Sequence, residues 1–211
     1  MILIGQYDSP FVRRVGVTMT LYEIEYEHWP WSVWANADGL ARINPLRRVP
    51  VLLLEDGEAL VESSAILDAL DSIVGPTRAL VPMSGPHRRA ALRIAAFATG
   101  LADKAVSLLY EHVLRPDPSR SQLWEERCRA QIRDTLNLLE SERAKAQGPW
   151  WLGDKITHGD VAVGCALRFL SEAHPDLYRS FEWPALERHR ASCEAMPPFQ
   201  EISQPLDVHV R

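Results

Sequence analysis

Ser9 stands directly before Pro10 and an apolar-periodic run through Val12, Val15 and Met19, which places its hydroxyl at the start of a helix. Proline in the first helical turn gives up only an N–H that has no partner there, so Ser-Pro reads as a helix start. A hydroxyl at that position caps the helix, or it is turned to a ligand at the helix's positive end. Tyr7, two residues earlier, is the nearby rival for any donor role. Glu62-Ser63-Ser64 precedes a second apolar-periodic segment and carries the same two readings, helix cap or ligand site. Val49-Pro50 opens a strand, and the dipeptide alone specifies no unusual geometry, because only about 5 to 6% of such bonds are cis in folded proteins. The seven histidines offer no His-Glu-x-x-His motif and no pair of their own at metal-ligand spacing on a helix, so no metal site is expected.

The elements that position these residues fall into two regions. Ile2-Leu3-Ile4 and Val51-Leu52-Leu53-Leu54 are continuous apolar runs, as in strands covered on both faces. A further strand is expected near Glu25 to His28, followed by an irregular stretch carrying Trp29, Trp31 and Trp34. Asp56-Gly57 signals a hairpin returning through Ala59-Leu60-Val61, and Ile66, Leu70, Ile73 and Val74 then give a helix ending near Gly75-Pro76. Beyond Pro82-Met83-Ser84-Gly85-Pro86 the period is helical alone, with helices expected over 86–114, 121–147, 157–172 and 184–195. Thr157-His158-Gly159-Asp160 fits a capping box with Asp at the third helical position, flanked by Ile156 and Val161 as a hydrophobic staple. Two domains follow: an α/β one over 1–80 and an all-α one over 86–211.

Composition narrows the class of function. With 46% hydrophobic and 24% charged residues, the 211-residue chain has the make-up of a globular protein. Its net charge of -5, with no basic run, argues against nucleic acid as a partner. No apolar run approaches the roughly 20 residues of a membrane span, and MILIGQYDS is unlike a signal peptide, so a cytoplasmic protein is expected. Cys128, Cys165 and Cys193 are odd in number, widely spaced and set in helix-like contexts, and they read as buried thiols. Arg13 and Arg14 read as an exposed helix face rather than an anion site.

Taken together, "YDSPFVRRV", "NPLRRVPVL", "EDGEALVESSAIL" and "WWLGDKITHGDVAVGCAL" resemble the glutathione S-transferase family, over nearly the whole chain and in the family's order. The resemblance implies a thioredoxin-like N-terminal domain, a C-terminal helical-bundle domain and a homodimer. It implies that Pro50 follows a cis bond and that the backbone of Val49 pairs with the cysteinyl residue of glutathione as an added strand would. It implies that Ser63, at a helix N-terminus, meets the γ-glutamyl carboxylate while Glu62 meets the amino group, and that Arg48 meets the glycyl carboxylate. Ser9 would donate to the sulfur. A thiol with a pKa near 8.5 is only a few per cent ionised at pH 7, and such a donor raises the thiolate fraction.

Serine in this place is similar to the theta- and zeta-like and many bacterial members. The segment departs from the family's Asn-Pro-x-Gly-Lys-Val-Pro pattern, with Arg47 in place of glycine and Arg48 in place of lysine. The zeta-type serine run is absent, since Asp8-Ser9 stands there, and maleylacetoacetate isomerase activity is correspondingly not expected. Phe11, Trp31, Trp34 and Tyr110 are the aromatics expected around the pocket for an apolar electrophile, with ordinary packing the alternative for the tryptophans. The implied reaction is thiolate attack on such a molecule, the conjugation chemistry of detoxification, with glutathione as co-substrate. Glutathione-dependent disulfide or peroxide reduction, and a non-catalytic glutathione-binding or protein-interaction module, are the alternatives.

Overall fold

The computed structural model describes residues 1–180 and 182–208. The chain forms two compact units, Met1–Met83 with Pro197–Arg211, and Ser84–Met196. Among the described residues no helix is long and apolar enough to cross a membrane.

The first unit begins β1 (Ile2–Ile4), α1 (Pro10–Leu21), β2 (Glu27–Trp29), α2 (Ala37–Ile43), β3 (Val51–Leu53), β4 (Ala59–Val61) and α3 (Ser63–Val74). The strands form one sheet in the order β2-β1-β3-β4, with β1 parallel to β2 and antiparallel to β3, and β3 antiparallel to β4. The continuous apolar runs have their physical reason here, because both sheet faces are covered. Leu3 and Leu52 pack with Val12, Val15 and Met19 of α1 and Ile66, Leu67 and Leu70 of α3. Ile4 and Val51 point the other way and pack with Leu40 of α2. Each such fully buried side chain contributes about 1.5 to 3 kcal/mol relative to exposure. The β3-β4 turn is the expected one: Gly57 takes φ +89° and Asp56 Oδ1 accepts from Glu58 N–H at 3.0 Å. This mixed sheet with its helices is the thioredoxin-like arrangement that the resemblance implies.

Two details differ from the sequence reading. β2 lies slightly later than Glu25 to His28, and α2 was not expected. It has seven residues, of which only Leu40 is buried, so its apolar period is too short to register.

The second unit contains α4 (Gly85–Leu114), a short 3-10 turn (Asp117–Ser119), α5 (Gln122–Lys145), α6 (His158–Ala173), α7 (Pro175–Arg179) and α8 (Pro184–Glu194). α6 is buried along almost its whole length. It approaches α4 closely at Gly159, where a Cβ would lie 3.1 Å from Ile94. Its capping box forms as expected: the fully buried Asp160 accepts from Thr157 N–H at 2.8 Å, the Thr157 hydroxyl at 2.7 Å and Trp151 N–H at 2.8 Å. Cys128, Cys165 and Cys193 are buried thiols, as their contexts suggest.

After α8 the chain forms α9 (Pro197–Glu201) and rejoins the first unit. The expected division at 80 and 86 assigned this last segment to the helical domain. Its contacts lie instead with α1, and they account for a correction. Arg13 and Arg14 are each only 3% exposed, not a solvated face. The buried Arg13 guanidinium donates to Ile202 O and Phe199 O, both at 2.8 Å, and lies over the Phe199 ring. Carbonyl acceptors and an aromatic face satisfy a cation that water would otherwise hold.

Candidate active site

Strand register gathers the three separated motifs. Ile4, the last residue of β1, pairs with Val51, the first of β3, and Val51 pairs with Val61, the last of β4. The turn carrying Ser9, the Val49-Pro50 bond and the Glu62-Ser63 pair therefore leave or enter the sheet at one end. Gly5 sits at the crossing. With φ +129°, it occupies a spot where a Cβ would lie 2.5 Å from Val12 Cγ2 and 2.8 Å from Val49 Cβ. Only glycine has both the backbone freedom and the lack of volume that this approach requires. The Val49-Pro50 bond is cis.

Ser9 is the N-cap of α1, half-buried, and its Oγ accepts from Val12 N–H at 3.4 Å. The rival Tyr7 is engaged elsewhere. Its hydroxyl is 2.8 Å from that of Tyr26, and its ring stacks on His28 with centroids 3.9 Å apart. Burial and the bond to Tyr26 push the Tyr7 phenol well above its ordinary range. The carboxyl of Asp8, between them, is raised above its ordinary value by burial.

On the far side of the site, Ser63 is the first residue of α3 and fully buried, while Glu62 is exposed with φ +70°. Arg14 reaches across from α1, its Nη1 donating to Ser63 Oγ at 3.4 Å. Ser63 Oγ donates in turn to Glu62 Oε1 at 3.4 Å. A buried cation, a helix N-terminus, a hydroxyl and an exposed carboxylate thus meet at one point, a combination suited to a group that carries both charges. Before β3, Asn44 shapes the loop: its side chain donates to Arg48 O at 2.9 Å and accepts from Leu46 N–H at 3.0 Å. Arg47 and Arg48 are exposed, and Arg47 has φ +52°.

Family models match both parts of the chain: the glutathione S-transferase N-terminal domain over residues 8–73 and the glutathione S-transferase C-terminal domain over residues 122–192. The chain belongs to the glutathione S-transferase family. It is similar to a glutathione S-transferase from Methylobacterium radiotolerans solved with glutathione sulfonate, at 30% identity and TM-score 0.90, covering 98% of this chain and 95% of that one. It is similar to one from Methylobacillus flagellatus solved with glutathione bound, at 28% identity and TM-score 0.87, covering 97% and 99%. Among curated proteins, the uncharacterized GST-like protein YibF of Escherichia coli is 28% identical over 171 residues, 81% of this chain and 82% of that protein.

The aromatics proposed for a transferase's second pocket are distributed over both units. Phe11 is half-buried in the first turn of α1, and Tyr110 is half-buried on α4 in the other unit. Trp31 and Trp34 line a cleft of about 280 Å³ with Asn36, Asp38 and Gly39. Among the described residues no cluster of His, Cys, Asp or Glu stands close enough to hold a metal ion. Sequence reasoning missed Arg14 as a neighbour of Ser63 and Gly5 as the junction of the motifs. The first signal was misleading, since charge is ordinarily a surface property. The second was available, because a glycine directly after a buried strand marks a close approach.

Proposed function

We propose that the protein binds glutathione at this end of the sheet and activates its thiol for attack on a small electrophile. The observation that carries the reading is the register Ile4-Val51-Val61, which brings Ser9, Val49 and Ser63 to one place. The backbone of Val49 pairs with the cysteinyl residue, Glu62 and Ser63 take the charged γ-glutamyl end, and Arg48 takes the glycyl carboxylate. Arg14 adds positive charge behind Ser63. Ser9 donates to the sulfur, and its place at the positive end of α1 favours the thiolate over the thiol. Tyr7 suits that role less, since its hydroxyl is shared with Tyr26. All three cysteines are buried in the helical unit, so the reacting sulfur is the ligand's own.

In the reaction the thiolate forms a carbon–sulfur bond to the electrophile while the leaving group, where there is one, departs with its electron pair. The enzyme is a homodimer in this reading, which sedimentation would check. Retention on immobilised glutathione, followed by assays with an aryl halide, a disulfide and a hydroperoxide, tests the activity. Conjugation of the aryl halide is expected. Turnover of the disulfide or hydroperoxide alone would make it a reductase, and retention without turnover a binding module.

A further inference from the structure

The segment after α9 reaches the turn that carries Ser9. Ile202 is 3% exposed and fills the notch at Gly16, where a Cβ would lie 2.8 Å from Ile202 Cγ2 and 3.1 Å from Tyr7 Cε1. From that anchor two hydrogen bonds run to the turn itself. Tyr7 N–H donates to Gln204 Oε1 at 3.2 Å, and Asp207 N–H donates to Asp8 Oδ2 at 3.0 Å. The two residues immediately before Ser9 are therefore each held by the chain's last part, 197 or more residues away in sequence. The buried Arg13 clamps the base of the same segment through Phe199 O and Ile202 O.

We infer that residues 202–207 act as a strap that fixes the Ser9 hydroxyl, with Gln204 and Asp207 as positioning residues for thiol activation. This rests on the reading of Ser9 given above. Apart from the strap, the turn is held by the Tyr7 side chain, through Tyr26 and His28, and by the bonds of Ser9 itself: its N–H donates to Gln6 O at 3.2 Å, and its O accepts from Arg13 N–H at 2.9 Å. Those bonds hold the residue's backbone at the helix start. The strap holds the two residues that set the direction from which the chain arrives, and a displacement well under 1 Å at a reacting group lowers rates severely. Gln204 and Asp207 bond to different residues of the turn, Tyr7 and Asp8, so each bond can be removed alone.

The test uses the full chain with Gln204→Met, which removes the acceptor, and Asp207→Pro, which removes the N–H. Amide exchange at Tyr7 reports the contact, and the thiolate's ultraviolet absorbance in the glutathione complex reports activation. Gln204→Met should speed exchange at Tyr7 by about tenfold. Both variants should lower kcat at pH 7 by about three- to tenfold, approaching the parent rate at higher pH, while the Kd for glutathione changes less than twofold. Faster exchange with an unchanged thiol titration and kcat would make the strap structural only and overturn the inference. Ser9→Ala separates the two levels. If it shifts the thiol titration while the strap variants do not, the strap alone fails; if it does not shift it, the reading of Ser9 fails and the strap's role with it.

Discussion

Ser9 Oγ accepts from Val12 N–H at 3.4 Å, a long bond for a cap, and its hydroxyl hydrogen remains available to a sulfur. Capping and the proposed activation are therefore compatible: the oxygen accepts from the helix while the hydrogen is left for a ligand. Ser9→Ala should raise the pKa of bound glutathione by about one to two units, the equivalent of one charge-assisted hydrogen bond. Titrating thiolate absorbance in the complex measures this, and a raised value in Tyr7→Phe with none in Ser9→Ala would move the role to Tyr7. Arg47 shows strain of a different kind, at a place where the family pattern has glycine. A non-glycine residue in the left-handed region costs about 1 to 2 kcal/mol, and glycine's extra unfolded-state entropy takes back about 0.5 to 1. The Arg47 pair with Asp38 offsets little, since Asp38 is 94% exposed. Arg47→Gly should accordingly stabilise the protein by up to about 1 kcal/mol, seen as a higher denaturant midpoint with an unchanged slope.

Among the elements, α6 shows most plainly how a short sequence signal becomes a buried device. Asp160 was legible as a cap from Thr157 alone, but its third partner, Trp151 N–H, comes from the loop before it. Asp160→Ala strands three donors in a buried place and should cost about 2 to 4 kcal/mol, above an ordinary cap, as measured by chemical denaturation. Thiol activation in the folded variant should be unchanged. His189 of α8 packs on the same residue: its Nε2–H donates to Asp160 O at 3.2 Å, Cys193 Sγ lies 3.6 Å away, and Trp150 and Trp151 meet the ring edge-on. Burial holds its pKa below the ordinary 6.5, against the opposing pull of Asp160, with Arg143 adding to the depression. His174 is lowered by burial as well. Both histidines take up a proton less readily when folded than when unfolded. The stability they contribute is thus present above about pH 6.5 and is lost as pH falls through their folded values. The melting temperature should fall between pH 7.5 and 5.5, with a shallower fall in His189→Gln; a flat profile would exclude the mechanism.

Across the whole molecule, legibility followed the range of the interactions. The β-runs, the hairpin at Gly57, the capping box and the six longest of the described helices were all readable because local pattern decides them. Arg13 was not, because what buries it is the pair of carbonyls at 199 and 202, and no local pattern announces a partner 186 residues away. The candidate site lies between these cases: its motifs were readable singly, and only sheet register shows that they meet. Its affinity and its chemistry should therefore separate by residue. A ligand that binds only the folded state adds RT ln(1 + [L]/Kd), about 2.7 kcal/mol at 100 times Kd. For cooperative unfolding of a chain this size, that is a rise in Tm of about 5 to 10 °C. Glutathione should produce such a rise in the parent protein, and Ser9→Ala should keep nearly all of it, because the γ-glutamyl and backbone contacts are intact. Ser63→Ala, which removes the hydroxyl beside Arg14 and Glu62, should lose most of it. Equal rises in all three proteins would place the γ-glutamyl end elsewhere, and no rise in any of them would mean that the convergence at the sheet's end does not hold glutathione at all.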